Sequence, residues 1–415
     1  MQNQLKDHAS PYLALHGNDP VAWQDWNAEV LQQAREEDKL LLISSGYFSC
    51  HWCHVMQKES YRNPEIAQWL NTHYIPVKLD RELHPALDAY LIDYLERTQG
   101  QAGWPLNVFL TPEGYPLVGT TYLPADRFQQ LLSKLTDVWQ KEREETRALA
   151  QNAVAQLSAQ KPVPKVKPLS SAALRERFIQ QVLALADPLE GGFGEQNKFP
   201  MSPQSLAWLT VRDNQPHPVL DDWLQTTLDQ MEQQGLQDHL AGGFYRYTVD
   251  PSWQVPHYEK MLYTQAQLAR VYLRAGHVYA RDDYLAIARN TLDFALREML
   301  GKQGALMASF SAIDGQGVEG GTYLWQTEEL QNILSADDYT LASRYWGMQG
   351  NSPTENGYLP RQGDSLAGLA QAMQMDAKEV RRRIQKIRQK LLAVRAQREL
   401  PVDNKELAAW NGLMI

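Results

Sequence analysis

Cysteine is almost absent from this chain: two residues among 415, at positions 50 and 53. A network of structural disulfides is therefore excluded, and a pair three positions apart points to redox or metal chemistry. No run of about 18 apolar residues occurs, so no membrane span is expected. The opening residues, Met1-Gln2-Asn3-Gln4-Leu5-Lys6-Asp7-His8, hold no apolar stretch of the kind a secretory leader needs, and the expected location is cytoplasmic. Basic charge is also scarce. With a net charge of -9 there is no electrostatic reason to expect a nucleic-acid partner. Phosphate-cradling loops are missing as well: Glu190-Gly191-Gly192-Phe193-Gly194 lacks the strand-to-helix setting and reads as a tight loop lining a domain mouth.

What is present is ordinary for a soluble fold, 43% apolar and 21% charged, in a chain long enough for two or three domains. Residues 1–160 read as a mixed α/β domain. A helical pattern at 27–38 leads into the short apolar run 39–45, which suits a buried strand. Asn63-Pro64-Glu65 looks like an N-cap with proline at the first helical position. Strands are expected at 74–80, 106–111 and 117–122, the last two joined by the turn Pro112–Pro116. Helices are expected at 85–97 and, as one long element, at 125–158. The Pro- and Lys-rich stretch 161–171 reads as a linker. From 172 to 415 helix follows helix, at about 172–186, 203–212, 219–235, 259–276, 281–300, 377–396 and from 405 on. Long aromatic and Gly-rich connections separate them. Helical hairpins with such loops suggest an α/α toroid or bundle carrying function on its loops. The apolar ending Trp410–Ile415 suggests a chain that is incomplete at its C-terminus.

The most informative stretch is Phe48-Ser49-Cys50-His51-Trp52-Cys53-His54. A C-x-x-C at a strand-to-helix junction sets the first sulfur at a helix N-terminus, where free N–H groups and the helix dipole favour a thiolate. Cys50 is then the attacking, partly exposed thiol and Cys53 the resolving one. His51 or His54, if protonated, would stabilise the Cys50 thiolate further. Gly103-Trp104-Pro105 precedes an expected strand, where thioredoxin folds place a cis proline. Pro105 is expected to be cis and to touch the pair. The strand below, Ile43-Ser44-Ser45, offers no acid, so Glu59 and Asp80 are the candidate general bases. Other readings stay open: a haem attachment motif, a zinc site built on Cys50 and Cys53 with the two histidines, or two buried inert cysteines. No other cofactor is expected, and the partners would be protein thiols or disulfides.

The sequence resembles a thioredoxin-domain family of unknown function whose animal member is a spermatogenesis-associated protein. The resemblance rests on Ser10-Pro11-Tyr12-Leu13, Asn18-Asp19-Pro20-Val21, the 50–56 stretch, Val77-Lys78-Leu79-Asp80-Arg81-Glu82 and Gly103-Trp104-Pro105-Leu106. Further on it rests on Lys198-Phe199-Pro200, Gly242-Gly243-Phe244, the run Val255–Tyr263 and Ala409-Trp410-Asn411-Gly412. It implies a thioredoxin-like α/β domain followed by an (α/α)6 toroid similar to six-hairpin glycosidases and sugar epimerases, continuing beyond residue 415. The chain departs from the family at His84-Pro85-Ala86, Thr264-Gln265 and Ser311–Asp314, where acids are lost.

In the second domain Arg246, Tyr247, Asp250, Trp253, His257, Glu259 and Lys260 fall close together on a loop entering a helix. Aromatic faces can stack on a sugar, and His257 with Glu259 can exchange protons. An epimerase-like reaction needs His257 or a partner as base. A glycosidase-like one needs two carboxylates, with Asp187, Asp250, Glu259 and Asp314 as candidates. The alternative is structural: a Glu259–Lys260 ion pair at a helix start, core aromatics and a hydrogen-bonded loop histidine.

Overall fold

The computed structural model describes residues 1–158, 169–212 and 216–415. The chain divides into two compact units, Met1–Val166 and Lys167–Ile415. Of the stretch read as a linker, 161–168 lies outside the described residues. Among the described residues no helix is long and apolar enough to cross a membrane.

The first unit runs α1 (Pro11–Leu15), α2 (Ala28–Glu37), β1 (Leu40–Gly46), α3 (His51–Met56), a π-helical turn (Gln57–Tyr61), α4 (Pro64–His73), β2 (Tyr74–Asp80), α5 (Pro85–Gln99), β3 (Leu106–Leu110), β4 (Pro116–Thr120), α6 (Ala125–Lys141) and α7 (Arg143–Ser158). Asn63 caps α4 through its side chain, with Pro64 at the first helical position. The single helix expected at 125–158 is broken at Glu142, whose backbone leaves the helical region.

The sheet order is β2-β1-β3-β4, with β1 parallel to β2 and antiparallel to β3. This is the thioredoxin-like arrangement. Every residue of β1, β2 and β3 is buried, as both-face coverage requires. Strand alternation sorts the side chains. Leu41, Ile43, Ile75, Val77, Leu106 and Val108 pack with Val30 of α2 and Leu91 and Leu95 of α5. Ser44, Gly46, Lys78 and Asp80 belong to the opposite face, and that face meets α1 and α3.

The second unit is largely helical. Its helices are α8 (Ser171–Leu185), α9 (Ser202–Arg212), α10 (Pro218–Gln233), α11 (Leu262–Tyr279), α12 (Asp282–Glu298), α13 (Thr327–Ile333), α14 (Ala336–Tyr345), α15 (Leu366–Ala372), α16 (Ala377–Arg395) and α17 (Ala408–Met414). Helix α11 buries even Thr264 and Gln265, whereas α12 buries one apolar stripe, as inner and outer helices of a hairpin do. Gln265 stands at one of the family departures. It accepts from Phe244 N–H and donates to the Phe244 carbonyl, so it ties the 240s loop to α11.

The spacing predicts one helix over 259–276. Instead Lys260–Met261 forms β5, which pairs with β6 (Ser309–Phe310), itself paired with β7 (Val402–Asp403). Helix α11 begins only at Leu262. Helices α13, α14 and α15 were not anticipated, because each is short and carries a weak period.

Candidate functional site

Two places gather chemistry, one in each unit. In the first, Cys50 and Cys53 form a disulfide. Cys50 is the N-cap of α3, and its Sγ accepts a hydrogen bond from Cys53 N–H at 3.2 Å. The turn before it is closed by Cys50 N–H donating to the Tyr47 carbonyl.

The expectation of a partly exposed Cys50 is not met: the residue is 3% exposed in this disulfide form. Tyr47, Phe48 and Ser49 of the preceding turn are themselves buried, and the sulfur is turned inward toward Cys53. Trp52, between the cysteines, is the solvent-facing residue, at 43% exposure, and its ring lies 4.9 Å from that of Tyr122.

His54 points Nε2 at the Phe48 carbonyl, 2.8 Å away. Burial lowers its pKa to about 4, so it is neutral at pH 7 and supplies no positive charge to a thiolate. A zinc site would need that same nitrogen or its ring partner beside both sulfurs. His51 packs its ring edge-on against Trp52.

The Trp104–Pro105 bond is cis. Leu106, next in the chain, pairs with Ser45, so this loop sits at the end of β1 from which the chain leaves toward Cys50. Trp104 Nε1 donates to Asp88, which also accepts from Ser45 Oγ at 2.6 Å.

Of the two candidate bases, Glu59 accepts from the Tyr122 hydroxyl at 2.6 Å on the surface. Asp80 is fully buried and is the register partner of Gly46. Directly paired residues point to one face of a sheet. On Gly46 that face is occupied by Cys53 Sγ, 2.8 Å from where a Cβ would stand, and by the Tyr12 hydroxyl. Asp80 thus shares a sheet face with the resolving sulfur. Its Oδ2 accepts from Ser10 Oγ at 2.6 Å.

The same face holds a group that sequence reasoning missed. Lys78 is wholly buried, with Nζ 3.0 Å from Ser44 Oγ. The rings of Tyr61, Trp23 and Tyr12 surround it at 4.4, 5.1 and 5.4 Å. Burial lowers its pKa to about 7. Tyr61 links Ser44 to Asn107 through its hydroxyl. Beside them His16 donates to Asp19 at 2.6 Å, its pKa lowered to about 3 by burial and then by Lys78. The signal was available: Lys78 and Asp80, two apart in an otherwise apolar strand, must share a face.

In the second unit, Arg246, Tyr247, His257 and Glu259 do come together. Arg246 donates to Glu259 at 3.1 Å and to the Tyr263 hydroxyl at 2.8 Å. His257 Nδ1 lies 3.3 Å from the same Glu259 oxygen, and its Nε2 lies 3.8 Å from Glu319. Burial works to lower the His257 pKa, but the hydrogen bond and charge of Glu259, with Glu319 beyond, raise it overall. The His257 ring stacks on Tyr247 at 5.0 Å, and Tyr247 stacks on Phe199 at 4.4 Å. Phe199, Arg246 and Tyr263 reach a cavity of about 280 Å³ that Gln204 and Gln267 also line.

The other candidates are engaged elsewhere. Asp187 caps the turn at Leu189 and Glu190 and binds Lys198 at 2.7 Å. Asp250 caps its own loop through Ser252 and Val255 N–H. Asp314 does the same for Gln316 and Val318. Trp253 is core, donating to the Glu190 carbonyl. Lys260 does not pair with Glu259. It binds Asp238 at 2.6 Å, which Arg395 also grips. Burial would raise Asp238, but Arg395 and Lys260 hold it down. Glu319, Phe199 and Tyr263 had not been singled out as site residues. Glu319 sits in a Gly-rich loop far along the chain and carries no spacing signal. Among the described residues no cluster of three His, Cys, Asp or Glu is arranged to hold a metal ion.

Residues 2–158 match the family model described as Thioredox_DsbH, protein of unknown function, DUF255. Over its whole length the chain is 33% identical to spermatogenesis-associated protein 20 of Rattus norvegicus, and equally so to that of Homo sapiens. It spans 57% of either relative. Among solved structures, a DsbH oxidoreductase is 22% identical, matching 27% of this chain and 83% of that one with a TM-score of 0.23. A sugar epimerase from a ruminal bacterium is 13% identical, matching 51% of this chain and 50% of that one with a TM-score of 0.29. Residues 2–158 are thus similar to the DUF255 family, and the whole chain is similar to a little over half of spermatogenesis-associated protein 20.

Proposed function

We propose that the first unit is a thiol–disulfide oxidoreductase or redox sensor acting on protein thiols or disulfides. The observation that carries the reading is the Cys50–Cys53 disulfide at the start of α3, backed by a buried carboxylate on the Cys53 face of the sheet. In the reduced form the Cys53 N–H that now contacts Cys50 Sγ is available to a Cys50 thiolate. That thiolate attacks a substrate disulfide, forming a mixed disulfide and expelling one substrate thiolate. Cys53, giving its proton toward Asp80, then attacks Cys50 and expels the second substrate thiolate. The substrate gains two electrons and two protons, and the pair returns to the disulfide. The reverse sequence oxidises a substrate dithiol. No cofactor is needed beyond the two sulfurs, and the setting is a reducing, cytoplasmic one. Burial of Cys50 in the disulfide form means that the 47–49 turn or Trp52 must yield for a substrate sulfur to reach it. A Cys53→Ser variant tests the reading: it should accumulate mixed disulfides at Cys50, and their absence from cells expressing it would count against exchange chemistry.

A second reading concerns the second unit, where His257 stands between two carboxylates near a cavity with an aromatic wall. This arrangement suits proton transfer on a sugar, with the first unit regulatory. Incubation with sugar panels should reveal epimerisation or hydrolysis that His257→Ala abolishes. Binding without turnover would leave the second unit a sugar-binding or scaffold module.

A further inference from the structure

Arg81 follows Asp80 at the end of β2, and its N–H donates to the Gly46 carbonyl. Its guanidinium lies over two rings at once, 3.8 Å from the Tyr47 centroid and 4.1 Å from that of Trp104. The rings meet edge-to-face at 6.0 Å. They belong to two segments at the end of β1 that leads to Cys50. Tyr47 opens the turn that closes on Cys50 N–H, and Trp104 precedes Pro105. Arg81 is half-buried, and among the described residues no carboxylate forms an ion pair with it. Its neighbour Asp80 is turned to Ser10. Two other half-buried arginines, by contrast, have such partners: Arg147 meets Asp38, Glu113 and Glu144, and Arg383 meets Asp338.

A guanidinium packed against two rings keeps N–H donors available for a carboxylate, and its fixed position reduces the entropy lost on binding. We infer that Arg81 is a specificity residue, which selects protein substrates carrying an acidic side chain close to the exchanging cysteine. The inference rests on the dithiol reading above.

The test is single-turnover oxidation of dithiol peptides by the full chain in its disulfide form. One peptide thiolate attacks Cys50 Sγ and expels Cys53 as thiolate. The peptide's second thiolate then attacks its own sulfur in the mixed disulfide and expels Cys50. The peptide loses two electrons, the pair gains them, and the two peptide protons end on Cys50 and Cys53. Three peptides differ only in one residue beside the cysteine: Glu, Gln or Lys.

The Glu peptide should react about tenfold faster than the Lys peptide at low salt, the size of one charge-assisted contact. Arg81→Lys should keep the ranking. Arg81→Gln should bring the Glu and Lys peptides to the rate of the Gln peptide, and Arg81→Glu should reverse the order. Arg81→Met, which retains the apolar stem between the rings, gives a second neutral variant should the first lose its fold. The inference is overturned if the wild type does not rank the peptides, or if the ranking survives in the neutral variants. It is equally overturned if all three peptides slow by one common factor, which would make Arg81 a structural pin. Failure of the wild type to oxidise any of the three peptides would instead strike the dithiol reading itself.

Discussion

Replacing Lys78 by methionine separates a buried charge from the fold around it. The lysine sits among Tyr12, Trp23 and Tyr61 with Ser44 as its hydrogen-bond partner. Burial takes its pKa from 10.5 to about 7 in the folded state. Between those two values the unfolded chain holds a proton that the folded chain lacks. Stability must therefore rise with pH across that window and be lowest, for this term, below pH 7. The gap corresponds to on the order of 5 kcal/mol. The methionine variant has no such proton, so the difference between the two proteins isolates it from every other titration. Hydrogen exchange of the β2 peptide, read by mass spectrometry at a series of pH values, measures that difference with intrinsic exchange cancelled. The methionine protein should be the more protected below pH 7, with wild type gaining steadily toward pH 10. Parallel protection curves for the two proteins would refute the reasoning, because they would mean that Lys78 keeps an ordinary proton affinity.

Other outcomes follow from the same geometry. Gly46→Ala drives a methyl group into Cys53 Sγ and the Tyr12 hydroxyl, and should destabilise the first unit by about 1–3 kcal/mol in urea titrations. Asp80→Asn keeps a partner for Ser10 but removes the carboxylate on the Cys53 face; if that carboxylate takes the Cys53 proton, the mixed disulfide should live about 100-fold longer in stopped-flow exchange. His257, raised by Glu259 and Glu319, should titrate above 6.5 in a ¹³C-labelled sample, and Glu319→Gln should bring it down. Its contribution to stability is then complete below pH 6.5 and lost as pH rises through the folded value.

Much of the first unit was readable from spacing. The run 74–80 alternates around a proline and was assigned as a strand with the observed limits, and Asn63-Pro64 marked the start of α4 where it lies. What the spacing did not convey was depth. A C-x-x-C motif says nothing about whether Trp52 or Cys50 faces solvent, since that depends on the buried 47–49 turn. In the second unit, local sequence crowded seven polar and aromatic residues into fifteen positions, and strand alternation at Glu259–Lys260 then sent two of them apart. Glu259 joins His257 and Arg246, whereas Lys260 joins Asp238 and Arg395. The remaining acids were legible as acids but not as loop caps, because an Asx turn and a catalytic carboxylate share one composition. Glu319 and Phe199 arrive from distant segments, which a single sequence without alternation or motif cannot bring together.

The central claim is that Cys50 and Cys53 form a reversible couple in which Cys50 is the activated thiol. Its most direct measurement is alkylation of the reduced full chain across a pH series, with each cysteine quantified by mass spectrometry, followed by re-equilibration in a glutathione buffer. Cys50 should react first, with a pKa below the ordinary thiol value of about 8.5, and the pair should reform one intramolecular disulfide. Equal, unperturbed reactivity of both cysteines, with no disulfide regained under mild oxidant, would contradict it.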